Sequence, residues 1–152
     1  MPRIELSTPL SASPERCFEL SLSVDAHTAS MADSVERVVA GVTSGVMGLG
    51  ETVTWRARHF GIPFTMTSVI SQLEAPYRFV DEQTSGPFRS WWHEHTFEPV
   101  GVGTRMTDVV EFESPAGPIG RWVNALVLTN YMTRLLEKRN AWLVDALSEQ
   151  AR

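Results

Sequence analysis

The sequence predicts an α+β domain in which a curved antiparallel sheet folds around a long C-terminal helix. Three observations carry that prediction. From Val35 to Phe112 the apolar residues recur with a period of two. The runs are separated by Gly61-Ile-Pro63, Ala75-Pro76, Gly86-Pro87 and Gly101-Val-Gly103, connections too short for a parallel crossover, so neighbouring strands must be antiparallel. After Pro115-Ala-Gly-Pro118 the pattern becomes helical, with Pro118 at the first position, and continues to about Gln150.

The elements follow in order. Residues 3 to 10 alternate weakly through Ile4 and Leu6, and Pro9 removes a ladder donor, which suits an edge strand. Ser13-Pro14-Glu15 supplies an N-cap, a proline at the first helical position and an acidic first turn, with Cys17, Phe18, Leu20 and Leu22 on one buried side. A second short helix is expected near Asp25 to Met31, capped by Asp25. Val35 to Val39 opens a strand that runs into a loop carrying Gly41, Gly45, Gly48 and Gly50. Alternating runs follow at Thr52 to Phe60, Phe64 to Leu73, Tyr77 to Thr84, Phe88 to Glu98 and Thr104 to Glu113, giving seven strands with the first two. In the last helix Ile119, Trp122, Val123 and Leu126 share one face, whereas Leu128, Met132, Leu135, Leu136, Trp142, Leu143 and Ala146 share nearly the opposite one. Either that helix bends or breaks around Val127 to Asn130, or its first half packs on a loop, a ligand or another subunit.

Composition narrows the function classes. The 152 residues suit a single domain spanning 1–152, and 18 acidic against 13 basic residues, a net charge of -5, argue against a nucleic-acid partner. Twelve of the basic residues are Arg and one is Lys138, set in the charged run Glu137-Lys138-Arg139, which leaves Schiff-base chemistry without a desolvated amine. The single cysteine, Cys17, forms no internal disulfide and no structural zinc site, so a reducing compartment is expected. With no apolar leader in MPRIELSTPLSASPE and no run near the roughly 20 residues that span a bilayer, the expected location is the cytoplasm.

The strings GETVTWRARHFG, RFVDEQTSGPF, HEHTFEPVGVGTRMTDVVEF and ESPAGPIG, set in this order of elements, carry a family resemblance. Over roughly residues 3 to 150 the chain resembles the helix-grip fold of the SRPBCC superfamily, which includes START lipid-transfer domains, pollen-allergen-like proteins, and polyketide cyclases and dehydratases. Within it the strings look like a bacterial branch of uncharacterised ligand-binding proteins. The resemblance implies a cavity between the sheet and the long helix for a hydrophobic or amphipathic small molecule, with no cofactor, no metal and no shared catalytic residues.

Strand alternation sorts the cavity candidates. Trp55 and His59 should point inward with Val53 and Ala57; Phe64 and Met66 with Ser68 and Ile70; Phe79 and Asp81 with Tyr77 and Gln83. On the next strand Trp91, His93, His95 and Phe97 should be the inward set, because that leaves Glu94 and Glu98 in water. The last strand turns Met106, Asp108, Val110 and Phe112 inward, and Trp122 and Leu126 come from the helix. The expected ligand site is thus an aromatic pocket holding a polar group of His59, Asp81, His93, His95 and Asp108.

That polar group admits several readings. It can be a self-satisfied network that fixes the strands, or a set of groups that orients a ligand. His93, His95, Asp108 and Asp81 are also the candidates for acid–base catalysis, a His–Asp pair abstracting a proton α to a carbonyl. His93-x-His95 places two imidazoles on one strand face, a weak metal signal that Asp81, Asp108 or His59 could complete. The glycine loop matches no phosphate-binding motif, and its Val42, Val46, Met47 and Leu49 are expected to curl over the cavity as a lid. His27 reads as a surface histidine that could flank the mouth. Trp91 and Trp92 cannot both face the cavity, so one of them, with Trp122 and Leu126, points to a homodimer contact or a portal closed by partner surface.

Overall fold

The computed structural model describes residues 2–32, 35–59, 61–114 and 118–150, with side chains throughout except at 118–124 and 150. The chain runs β1 (Arg3–Leu10), α1 (Pro14–Ser21), α2 (Val24–Ser30), β2 (Arg37–Gly41), β3 (Thr52–His59), β4 (Ile62–Glu74), β5 (Arg78–Ser85), β6 (Ser90–Val100), β7 (Gly103–Glu113) and α3 (Pro118–Gln150). The strands form one antiparallel sheet in the order β1-β7-β6-β5-β4-β3-β2. From β2 to β7 each strand pairs with the next, as the short turns require, and β1 is an edge strand as its proline predicted.

Local chemistry starts the helices. Ser13 Oγ accepts from Arg16 N–H at 3.4 Å and caps α1 with Pro14 behind it. The cap of α2 is Ser23, two residues ahead of the expected Asp25: its hydroxyl accepts from Ala26 N–H at 3.1 Å. The reason is that Ser23 bridges Val46 in extended conformation, whereas the Asp25 carboxylate instead accepts from Gly45 N–H at 2.9 Å and ties the glycine loop to the helix. Gly41 ends β2 with φ +79, and a Cβ there would stand 2.3 Å from the Thr52 carbonyl oxygen, so the close approach of β2 to β3 demands glycine.

Side chains pack into two apolar clusters along the sheet. One joins Phe18 and Leu22, from α1 and its C-cap, to Phe79, Phe97, Met106, Leu143 and Leu147. The other joins Ile4, Trp91, Val110, Phe112 and Leu136. Of the two alternatives for the last helix, a break does not occur: α3 continues through Val127 to Asn130, with the Thr129 hydroxyl donating to the Ala125 carbonyl and Thr133 to that of Thr129 at 2.6 Å. Backbone continuity survives the phase jump because Leu126 and Val127 lie in solvent, 65% and 50% exposed, while Leu128, Met132, Leu135 and Leu136 turn toward the sheet. Ile119, Trp122 and Val123 carry side chains outside the described set. No described helix is long and apolar enough to cross a membrane.

Candidate functional site

Between the sheet and α3 lies a cavity of about 440 Å³. Strand alternation delivers Trp55, His59, Phe64, Met66, Phe79, Asp81, Trp91, His93 and His95 to its wall, as expected. From α3 come Leu128, Tyr131, Met132, Leu135, Leu136 and Arg139, and from the α2 side His27, Met31 and Glu36. All four histidines of the sequence therefore face one space.

Several expected members do not. Asp108 is fully buried one layer behind the wall, and Phe112 is core packing against Trp91, with ring centroids 5.9 Å apart. Leu126 is on the outer side of α3, and Trp122 lies outside the described side chains. Tyr77 falls in the turn before β5 and is 53% exposed, while Gln83 donates to the Phe88 carbonyl and accepts from Phe88 N–H instead of facing the cavity. Of the expected lid, Met47 alone lines the cavity; Val42 packs on the core, Val46 bridges Ser23 with its side chain exposed, and Leu49 is exposed.

The polar end is built by register. β6 presents Trp91, His93, His95 and Phe97 opposite Phe112, Val110, Asp108 and Met106 of β7, and opposite Asp81 and Phe79 of β5 at the two histidines. A charged layer is thus clamped between two aromatic ones. His93 Nε2 donates to Asp108 Oδ1 at 2.8 Å, and His95 Nε2 to Asp81 Oδ2 at 2.8 Å. Arg139 Nη2 donates to the same Asp108 Oδ1 at 2.6 Å, and Asn140 Nδ2 to Asp108 Oδ2 at 3.0 Å. The two imidazoles stack 3.7 Å apart, with Phe79 on the far face of His95 at 4.0 Å.

Electrostatics follow from this packing. Burial, then the neighbouring charge of His93, pushes His95 down to about 4 against the pull of Asp81. Burial alone would raise Asp108, but the Arg139 guanidinium and the His93 hydrogen bond hold it well below the usual carboxylate range. Asp81 is likewise opposed by burial and brought below its ordinary value by His93 and the bond from His95. It keeps 21% of its side chain accessible, so it is the carboxylate that a bound molecule would meet. The ligand atoms of Asp81, His93 and His95 lie within 4.8 Å of one another, close enough to share a metal ion.

At the opposite end the polar groups pair locally. His27 Nε2 meets Glu36 Oε1 at 2.8 Å while its ring lies over Trp55 at 4.2 Å. His59 Nδ1 meets the Tyr131 hydroxyl at 2.6 Å, and burial lowers its pKa, with Glu36 opposing weakly. Glu36, Tyr131, Arg139 and Asn140 were not among the expected site residues, and His27, expected at the surface or flanking the mouth, lines the cavity. A signal for two of them existed: Arg139 and Asn140 sit three and four residues after Leu136 and before Leu143, on the buried stripe of α3.

A seven-stranded antiparallel sheet gripping a terminal helix, with a lined cavity between them, is the helix-grip architecture, and with the family match it places the chain in the SRPBCC superfamily. The chain belongs to the polyketide cyclase / dehydrase and lipid transport family, whose sequence profile matches residues 1–148. No curated protein matches the sequence. Among solved structures it is similar to the Zhui aromatase/cyclase from Streptomyces sp. R1128, at 13% identity and TM-score 0.80 over 99% of this chain and 95% of that one. A similar protein from Thermus thermophilus, TTHA0849, gives 19% identity and TM-score 0.74 over 95% of this chain and 99% of that one. A START superfamily protein from Mycobacterium smegmatis gives 11% and 0.73 over 99% of both chains. At these identities the likeness is one of fold.

Proposed function

We propose that the protein binds a hydrophobic or aromatic small molecule in the cavity between the sheet and α3, its polar group directed at Asp81 and His95. The observation that carries this reading is the cavity itself: about 440 Å³, walled by Trp55, Phe64, Met66, Ile70 and Leu135, and converging on one accessible carboxylate–imidazole pair. Family membership and the cyclase and START names of similar structures support it. Native mass spectrometry of freshly purified protein, with titration of the hydrophobic probe ANS, tests it. Co-purified small molecule or saturable one-to-one ANS binding is expected; neither appearing would remove the basis of the reading.

A second reading, acid–base catalysis of the cyclase or dehydratase type, is favoured by the Asp81–His95 pair lying on the cavity wall. The Asp81–His95 pair would act as the general base that takes a proton from carbon next to a carbonyl, with Asp108 and His93 holding the pair in place. On any substrate found, His95→Ala and Asp108→Asn should abolish turnover in folded protein; full activity in both would end this reading.

A further inference from the structure

His93 and His95 are two residues apart on β6, and each imidazole lies between the same two carboxylates. Toward the buried side, His93 Nε2 is 2.8 Å and His95 Nδ1 is 3.3 Å from Asp108 Oδ1. Toward the cavity, His93 Nδ1 is 3.7 Å and His95 Nε2 is 2.8 Å from Asp81 Oδ2. Two neutral imidazoles carry two N–H groups, so four nitrogen–carboxylate approaches cannot all be hydrogen bonds. With His95 donating to Asp81, its Nδ1 is a buried atom without a hydrogen-bond partner, 3.3 Å from a carboxylate oxygen of Asp108. Turning the His95 tautomer gives both rings an N–H toward Asp108 and leaves two bare nitrogens and a carboxylate oxygen facing each other at the cavity. That arrangement calls for a cation.

We propose that Asp81 Oδ2, His93 Nδ1 and His95 Nε2 form a site for a divalent first-row transition-metal ion of the zinc and iron class, at the polar end of the cavity. Two imidazoles and one carboxylate are the donor set of such ions, whereas magnesium and calcium prefer oxygen alone. With metal–ligand distances of about 2.0–2.2 Å, neighbouring donors in a four- or six-coordinate site stand about 3 Å apart. The observed 2.8 and 3.7 Å separations from Asp81 bracket that figure, and the three donor atoms lie within 4.8 Å, so small side-chain rotations close the site.

The surroundings are those of a metal centre. Asp108 accepts from His93 Nε2, stands 3.3 Å from His95 Nδ1, and is itself fixed by Arg139 at 2.6 Å and Asn140 at 3.0 Å, a carboxylate behind the histidines of the kind that sets ring orientation in metal centres. Two carboxylates, Asp81 and Asp108, stand here against the single guanidinium of Arg139, a surplus of acid that suits a divalent ion. Because all three donors line the cavity, the remaining coordination positions point at whatever fills it. This inference goes beyond the ligand reading and stands or falls separately from it.

Tag-free protein stripped with a chelator and titrated with Zn(II) by calorimetry, and with Co(II) by visible absorption, provides the test. One saturable equivalent of each is expected, with a Co(II) band that Zn(II) removes. Asp81→Asn, a change at the accessible wall, should weaken Zn(II) binding more than tenfold; Asp108→Asn should weaken it about 10–100-fold, circular dichroism and a cooperative melt showing each variant folded. If Asp108→Asn does not fold, Asp81→Asn decides alone. Absence of saturable binding, or one equivalent bound with unchanged affinity in Asp81→Asn, would overturn the site. ANS titration in chelator reports on the ligand reading independently.

Discussion

The two ends of the cavity hold two histidines each and treat them oppositely. At the β5–β7 end, His93 and His95 are 4% and 2% exposed and share Asp81, Asp108 and Arg139 in one continuous charged layer. At the α2 end, His27 and His59 are partly exposed and each is satisfied by one partner, Glu36 or Tyr131. The difference is one of connection. At the first end Asp108 joins His93, Arg139 and Asn140, so removing one member leaves a buried charged group short of its partner. At the second end the pairs are separate, although the Glu36 carboxylate there is itself 8% exposed.

The largest effect should come from removing the carboxylate on which the deep end converges. Asp108→Ala leaves the buried Arg139 guanidinium without its carboxylate partner and should cost about 3–5 kcal/mol in urea unfolding; a loss under about 1 kcal/mol would mean that the layer is not a coupled unit.

Acid should act next. His95 has its folded pKa near 4 against an ordinary 6.5, so between those values the unfolded chain binds a proton that the folded chain refuses. Stability is complete above the ordinary value and falls as pH drops through that window, by on the order of 3 kcal/mol. His59, also lowered by burial, adds loss of the same sign. Asp81 and Asp108, held below their ordinary range, extend the loss below the ordinary carboxylate value. Unfolding of chelator-treated protein at about pH 7 and about pH 5 measures this, and equal stability at the two would contradict it.

At the other end Tyr131→Phe removes the hydrogen bond to a partly exposed His59, and about 1 kcal/mol is expected. Leu126→Ala, on the exposed side of α3, should change stability by less than about 0.5 kcal/mol. A larger Leu126 effect that grows with protein concentration would instead reveal a contact between copies.

Wherever one periodicity and short turns governed the chain, the sequence was legible. β3 and β6 turn Trp55, His93 and His95 to the cavity as alternation expects, because a period of two admits two choices and the charged Arg56 and Arg58 on β3 and Glu94 and Glu98 on β6 decide between them. Tyr77 escaped because a turn ends the alternation before it, and Asp108 was rightly turned inward but lies behind the histidines, a depth that alternation does not encode. Arg139 looked like a solvated charge within Glu137-Lys138-Arg139, yet helical phase carries it beside Leu136 and Leu143. The pairing of His27 with Glu36 depends on how α2 meets β2, which no local pattern states.

The most direct test of the central claim, that the cavity is the binding site, is a methyl NMR titration of the protein with ANS in chelator. Saturable shifts are predicted at Met66, Ile70 and Leu135, which line the cavity, with Leu126 and Val102 on the surface unmoved. Shifts confined to Leu126 and Val102 would place binding on the exterior and contradict the account.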